Sequence, residues 1–172
     1  MIPSHLTLRL ATEADLPAIV DIYNSIIPGR MVTADLEPVT VEQRKPWLAA
    51  HNAQTRPAWV LVEKDSGATI GFMSFDTFYA RAAYDGTVMI AIYLAETHRQ
   101  HGLGRTLLEH AMEIAPAHGI HSILGYIFGH NAPSLRLFER CGFERWAHLP
   151  RVAVLDGMER DLIIMGRRLA RV

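Results

Sequence analysis

The stretch from Thr87 to Met112 constrains this chain more than any other. Val88-Met89-Ile90-Ala91-Ile92-Tyr93-Leu94 is apolar and uncharged, which suits a strand buried on both faces. Arg99-Gln100-His101-Gly102-Leu103-Gly104-Arg105 follows, and Leu103, Leu107, Leu108, Ala111, Met112 and Ala115 then recur at helical spacing. A central strand therefore runs into a glycine loop, and the loop opens an amphipathic helix. The first amides of a helix lack partners and carry the positive end of its dipole, so a phosphate or pyrophosphate is the natural guest. Gly102 and Gly104 let the backbone approach it closely, while Arg99 and Arg105 add charge.

Two familiar phosphate motifs do not fit. An ATPase loop ends in Gly-Lys-Ser/Thr, whereas Gly104 is followed by Arg105 and Thr106. A dinucleotide fingerprint needs a third glycine, where this chain has Leu107, and an acidic residue about 20 positions on, where the surroundings of Leu124 are apolar. The remaining pattern, Arg-x-x-Gly-x-Gly after a buried strand, resembles the coenzyme A pyrophosphate loop of the GNAT acetyltransferases. Asn131-Ala-Pro-Ser134 leading to Cys141-Gly142-Phe143 resembles that family's second signature. With Arg81 to Tyr84 and Tyr23-Asn24, the chain is most similar to the phosphinothricin N-acetyltransferase-like group.

The resemblance implies a GNAT fold: an α/β architecture with a mixed, mostly antiparallel sheet, two splayed parallel strands at its centre and flanking helices. It implies acetyl-CoA as cosubstrate, held by the Arg99 to Arg105 loop, by the amides of Ile92, Tyr93 and Leu94, and by Asn131 and Ser134. Asn131 and Ser134 also suit a helix N-cap and first turn. The resemblance further implies a small amine acceptor, an amino acid or an analogue such as phosphinothricin or methionine sulfoximine, attacked directly in a ternary complex. Arg81 would hold its carboxylate and Tyr84 would pack on it. A homodimer is also implied.

The 172 residues, 49% of them hydrophobic, are expected to form one domain over residues 1–172. A net charge of −1 carries no basic footprint for nucleic acid. No apolar run approaches the length of a membrane helix and no leader pattern is visible, so the expectation is a cytoplasmic protein without a membrane partner. Cys141 is the single cysteine and reads as a packed thiol. His98 with His101, and His118 with His121, share a spacing of three but have no carboxylate or thiolate partners nearby, so no metal is expected.

Taken in order, the chain predicts a strand over 6–10, a helix ended by Pro28-Gly29, a loop over 30–38 and a short helix over 41–50. Strands over 59–63 and 69–75 form a hairpin, and a connection over 76–86 leads to the central strand. After the central helix, Gly119 precedes a strand over 122–128, a helix from Asn131 to Gly142, and strands over 144–149 and 160–166.

Acetyl transfer to an amine also needs a proton acceptor. The related enzymes carry a glutamate where this chain has Met89, and commonly a histidine where it has Phe138. Methionine cannot accept a proton, and the two residues are expected to make the inner pocket apolar. His130, next to Asn131, and Glu96, after the central strand, are the candidates for the base, with water as the third possibility. Met89 and Phe138 also leave open a coenzyme A binding or sensing module without turnover, or an acetyltransferase for a peptide or drug amine.

Overall fold

The computed structural model describes residues 1–99 and 101–169. Its strands are β1 (Leu6–Leu10), β2 (Ala58–Glu63), β3 (Thr69–Thr77), β4 (Thr87–Leu94), β5 (Ser122–Phe128), β6 (Glu144–Leu155) and β7 (Met158–Arg168). They form one seven-stranded sheet in the order β1-β2-β3-β4-β5-β7-β6. Every neighbouring pair is antiparallel except β4 with β5. This is the expected GNAT architecture, with one parallel pairing at the centre.

Among the described residues, four α-helices cover the sheet: α1 (Leu16–Ile26), α2 (Val41–Ala49), α3 (Leu103–Ile114) and α4 (Ala132–Arg140). Alternation along the strands decides which face each side chain joins. Val88 and Ile90 of β4 pack with Leu107, Leu108 and Ala111 of α3 and with Phe138 of α4. On the opposite face, Val60 and Phe72 pack with Ile19, Ile22, Tyr23 and Ile26 of α1. Apolar side chains thus line both faces of the central strands for most of their length, which suits the uncharged run from Val88 to Leu94. Among the described residues no helix is long and apolar enough to cross a membrane.

The C-terminal strands are longer than predicted and join in one hairpin. Asp156 (φ 49°) and Gly157 (φ 79°) form its two-residue tip, the left-handed pairing that an Asp-Gly dipeptide favours in tight hairpins. Pro150 lies within β6 because β6 is the edge strand and its register shifts between Leu149 and Ala153. Arg151, in the left-handed region there, donates its amide to the Asp161 carboxylate at 2.9 Å, and His148 reaches the other oxygen at 2.7 Å. His148 foremost, then the Arg151 amide, holds the Asp161 carboxyl below its ordinary range.

Candidate active site

The site begins where the sheet opens. Parallel pairing joins Thr87 to Ser122, Val88 to Ile123 and Met89 to Leu124, then stops, although the strands continue to Leu94 and Phe128. The Ser122 amide donates to Gly86 O at 3.1 Å, whereas that of Ala95 donates to Ile70 O on the other side at 2.8 Å. With an unbroken β3–β4 register, alternation turns the amides of Ile92 and Leu94 toward the gap and that of Tyr93 toward β3. The expectation for Tyr93 is therefore corrected. Its amide belongs to the sheet, and its ring packs at 4.9 Å from Phe72 and 5.4 Å from Tyr23.

The gap leads to the N-terminus of α3. Gly102 is left-handed (φ 78°) and its carbonyl accepts from Thr106, leaving the amides of Leu103, Gly104 and Arg105 without acceptors in the helix. Arg99 Nε donates to Leu94 O at 3.0 Å, and one terminal nitrogen of its guanidinium is enclosed with no partner among the described residues. Gly104 is helical, and a Cβ there would meet only Leu137 Cδ2 at 3.5 Å, an ordinary contact. Neither backbone nor packing requires that glycine, which leaves open space at the helix terminus. His101 is exposed beside the loop, Arg105 pairs with Glu109 at 2.7 Å, and Gln100 lies outside the described residues. Unpaired strand amides, a free helix terminus and a part-satisfied arginine fit a pantetheine arm ending in a pyrophosphate.

The acetyltransferase (GNAT) family model matches residues 18–143. The chain belongs to that family. This GNAT chain is 49% identical over 165 residues to YwnH of Bacillus subtilis (strain 168), provisionally named a phosphinothricin acetyltransferase, covering 96% of this chain and all of that protein. It is 33% identical to the L-methionine sulfoximine/L-methionine sulfone acetyltransferase of Pseudomonas paraeruginosa, over 95% of this chain and 94% of that one. The crystal structure of a GNAT superfamily phosphinothricin acetyltransferase from Sinorhizobium meliloti in complex with AcCoA superposes with a TM-score of 0.88 at 27% identity, covering 96% and 89%. The protein is an acetyl-CoA-dependent N-acetyltransferase.

The GNAT chain's second signature does structural work. Asn131 is buried; its Oδ1 accepts from the Ser134 amide at 3.2 Å, capping α4, and its Nδ2 donates to Met31 O at 2.9 Å. His130 Nε2 donates to Arg30 O at 2.8 Å, and the ring stacks on Phe128 at 5.5 Å. The carbonyl accepts only, so the proton sits on Nε2; Nδ1 is enclosed with no partner among the described residues. His130 is a staple between the β5–α4 turn and the loop after α1, with no accessible lone pair for an amine, which corrects its assignment as base. Glu96 lies well away from Met89. It is exposed in the turn at the phosphate end of β4, seven residues and roughly 20 Å along the strand from Met89.

The residues expected to meet the acceptor lie at the other end. Arg81 and Tyr84 are exposed in the β3–β4 connection, the Arg81 guanidinium 5.9 Å from the Tyr79 ring and Tyr84 edge-on to Phe78 and Tyr79. Met89 is half-buried directly opposite Asp76 of β3. Phe138 is not a pocket residue: its ring covers Gly125 and packs on Phe143 in the core under α4, the face away from α1. The paired histidines separate, His98 to Glu63 at 3.2 Å, His118 to Gln54 O and His121 to Ser122. Burial pushes the Cys141 thiol up, as a packed thiol requires.

Sequence reasoning missed two polar clusters on the α1 face. Tyr23 OH meets Thr33 Oγ1 at 2.6 Å and donates to Asp35, and burial foremost, then Asp35, pushes the phenol up to about 12. Asp76 Oδ1 lies 3.0 Å from His51 Nε2 and accepts from Trp47 Nε1 at 3.3 Å, while Oδ2 accepts from Ser74 Oγ at 2.9 Å. The even-numbered run Phe72, Ser74, Asp76 was the available signal for the second.

Proposed function

We propose that this enzyme acetylates the primary amine of a free amino acid or close analogue, of the phosphinothricin or methionine sulfoximine type, by direct attack in a ternary complex. The observation that carries the reading is the gap beyond Met89 and Leu124, whose free amides run from the α3 terminus toward the β3–β4 connection. Acetyl-CoA supplies the activated thioester carbonyl. The amides of Ile92 and Leu94 hold the arm and donate to the oxygen that gains charge, a role worth roughly 3 to 4 kcal/mol per donor in acyl transfer. Arg81, which makes no ion pair among the described residues, receives the acceptor's carboxylate through two parallel hydrogen bonds, and Met89 gives the inner wall its apolar character.

The relatives named for amino-acid-like substrates support this acceptor class. We further propose that the chain acts as one domain in the cytoplasm and as a homodimer. Supporting the dimer, Val152, Val154 and Met158 are more than half exposed on the C-terminal hairpin, whose β6 is an unpartnered edge.

The test compares an amino acid with its carboxamide in a thiol-release assay. The unaltered enzyme prefers the carboxylate, and Arg81→Ala loses that preference. Equal rates for acid and amide in the unaltered enzyme would exclude this acceptor mode.

A further inference from the structure

We propose that Asp76 is the group that takes the amine proton, with His51 as the residue that positions it. Asp76 and Met89 face each other in the β3–β4 register, so their side chains share one face with Cβ atoms about 5 Å apart. Met89 is also the last β4 residue paired with β5. The carboxylate therefore stands one strand from the apex of the gap, on the α1 and α2 face, beside a thioether that accepts no proton.

The hydrogen bonding fixes one ring proton of His51. His51 Nδ1 lies 2.7 Å from Trp47 O, a carbonyl that only accepts, so Nδ1 carries a proton. Nε2 lies 3.0 Å from Asp76 Oδ1. With the carboxylate ionised, that nitrogen also carries a proton and the pair is imidazolium–carboxylate. The His51 side chain is 6% exposed and that of Asp76 26%, so the histidine is sealed and the carboxylate remains reachable. Oδ1 is occupied by His51 and Trp47, whereas Oδ2 has one bond, from Ser74, and keeps a lone pair for an amine.

The other ionisable groups on this face are Arg44 from α2, Tyr23 from α1, Tyr93 from β4 and Asp35 from the loop after α1. Arg44 is permanently charged and stacks at 4.2 Å on Trp47 and 4.6 Å on Tyr23. Burial holds both phenols protonated, and Asp35 is bonded to Tyr23. His51 and Asp76 are left as the pair able to exchange a proton near Met89.

The step balances without a further reagent. The bound ammonium gives one proton to Asp76 Oδ2, the freed lone pair forms the N–C bond, and the C–S bond breaks. The second amine proton leaves with the thiolate as coenzyme A thiol, and Asp76 returns its proton to water. This rests on the direct-attack reading above, and acetylation of the acceptor by the unaltered enzyme separates the two.

The experiment uses Asp76→Asn, with a methionine sulfoximine-type acceptor. Its expected result is a kcat lowered about a hundredfold or more, with acetyl-CoA affinity and acceptor KM near their original values. Its kcat climbs about tenfold per pH unit below the amine pKa, as only the neutral amine reacts, where the unaltered enzyme holds a plateau. Adding Met89→Glu to Asp76→Asn, which puts a carboxylate on the facing position, recovers at least about tenfold. Nitrogen NMR of the His51 ring in the unaltered protein shows both nitrogens protonated at pH 7, and one proton is lost in Asp76→Asn. A folded Asp76→Asn with the original kcat and plateau overturns the proposal. So does a neutral His51 ring in the unaltered protein, whatever the variant's folding.

Discussion

Gly104 is, at the level of one residue, a glycine that neither backbone nor packing requires. Glycine in a helix costs about 0.5–1 kcal/mol relative to alanine, and the structure leaves ordinary room for a Cβ there. Gly104→Ala should therefore raise stability by up to about 1 kcal/mol in urea unfolding while weakening acetyl-CoA at least tenfold by calorimetry, about 1.4 kcal/mol. Unchanged affinity would remove the phosphate-loop reading. His130 is the converse case, a residue whose role is internal. His130→Ala leaves Arg30 O without its donor and should cost roughly 1–2 kcal/mol of stability, while the shape of the kcat pH profile is retained. A profile that lost its plateau in His130→Ala would return the proton-accepting role to that ring.

At the level of elements, the join between β1 and α1 depends on one carboxylate. Asp15 accepts two bonds from Arg9, at 2.7 and 2.8 Å, and two from Thr12, at 2.8 and 2.9 Å. Arg9 foremost, working against burial, holds the carboxyl below its ordinary value near 3.8. A depressed folded value means that the contribution is complete above the unfolded value and is lost as pH falls through the folded one. Arg9 is half-exposed, which discounts the ion pair itself, but Asp15 is buried at 7%. Asp15→Asn should therefore lower stability at pH 7 by about 1–3 kcal/mol, with the difference from the unaltered protein shrinking below about pH 4 in urea titrations. A difference independent of pH would place the effect in packing.

For the whole molecule, the loop after α1 is tied to two distant parts of the fold. His130 and Asn131 hold the carbonyls of Arg30 and Met31, while the Arg30 side chain reaches Asp156 at the C-terminal hairpin tip at 2.7 Å. These contacts span 100 and 126 positions of sequence, so this loop is held by residues that no local pattern connects. The hairpin also bears the exposed apolar residues proposed to meet a second copy. Light scattering at micromolar concentration should give twice the 19.3 kDa chain mass, and Val154→Asp should shift it toward one. A single chain mass in the unaltered protein would exclude the dimer.

What the sequence by itself determined is what short-range chemistry encodes: the uncharged strand, the glycine loop, the amphipathic α3, the Asn131 cap and the family motifs they compose. Periodicity and capping act over one or two turns, so these features were legible before any fold was built. The ends of β6 and β7 were less so, because an edge strand accepts Pro150 and a bulge that a central strand would refuse. The tertiary structure alone decided which way each amide and side chain faces. It sent Tyr93 N–H to β3 and Phe138 to the far core, and it sealed His130 against Arg30 O. It also set Asp76 against Met89 across a strand pair. Strand register is a long-range property, fixed when two hydrophobic faces are buried together, and a shift of one residue would have moved that carboxylate to the other side of the sheet.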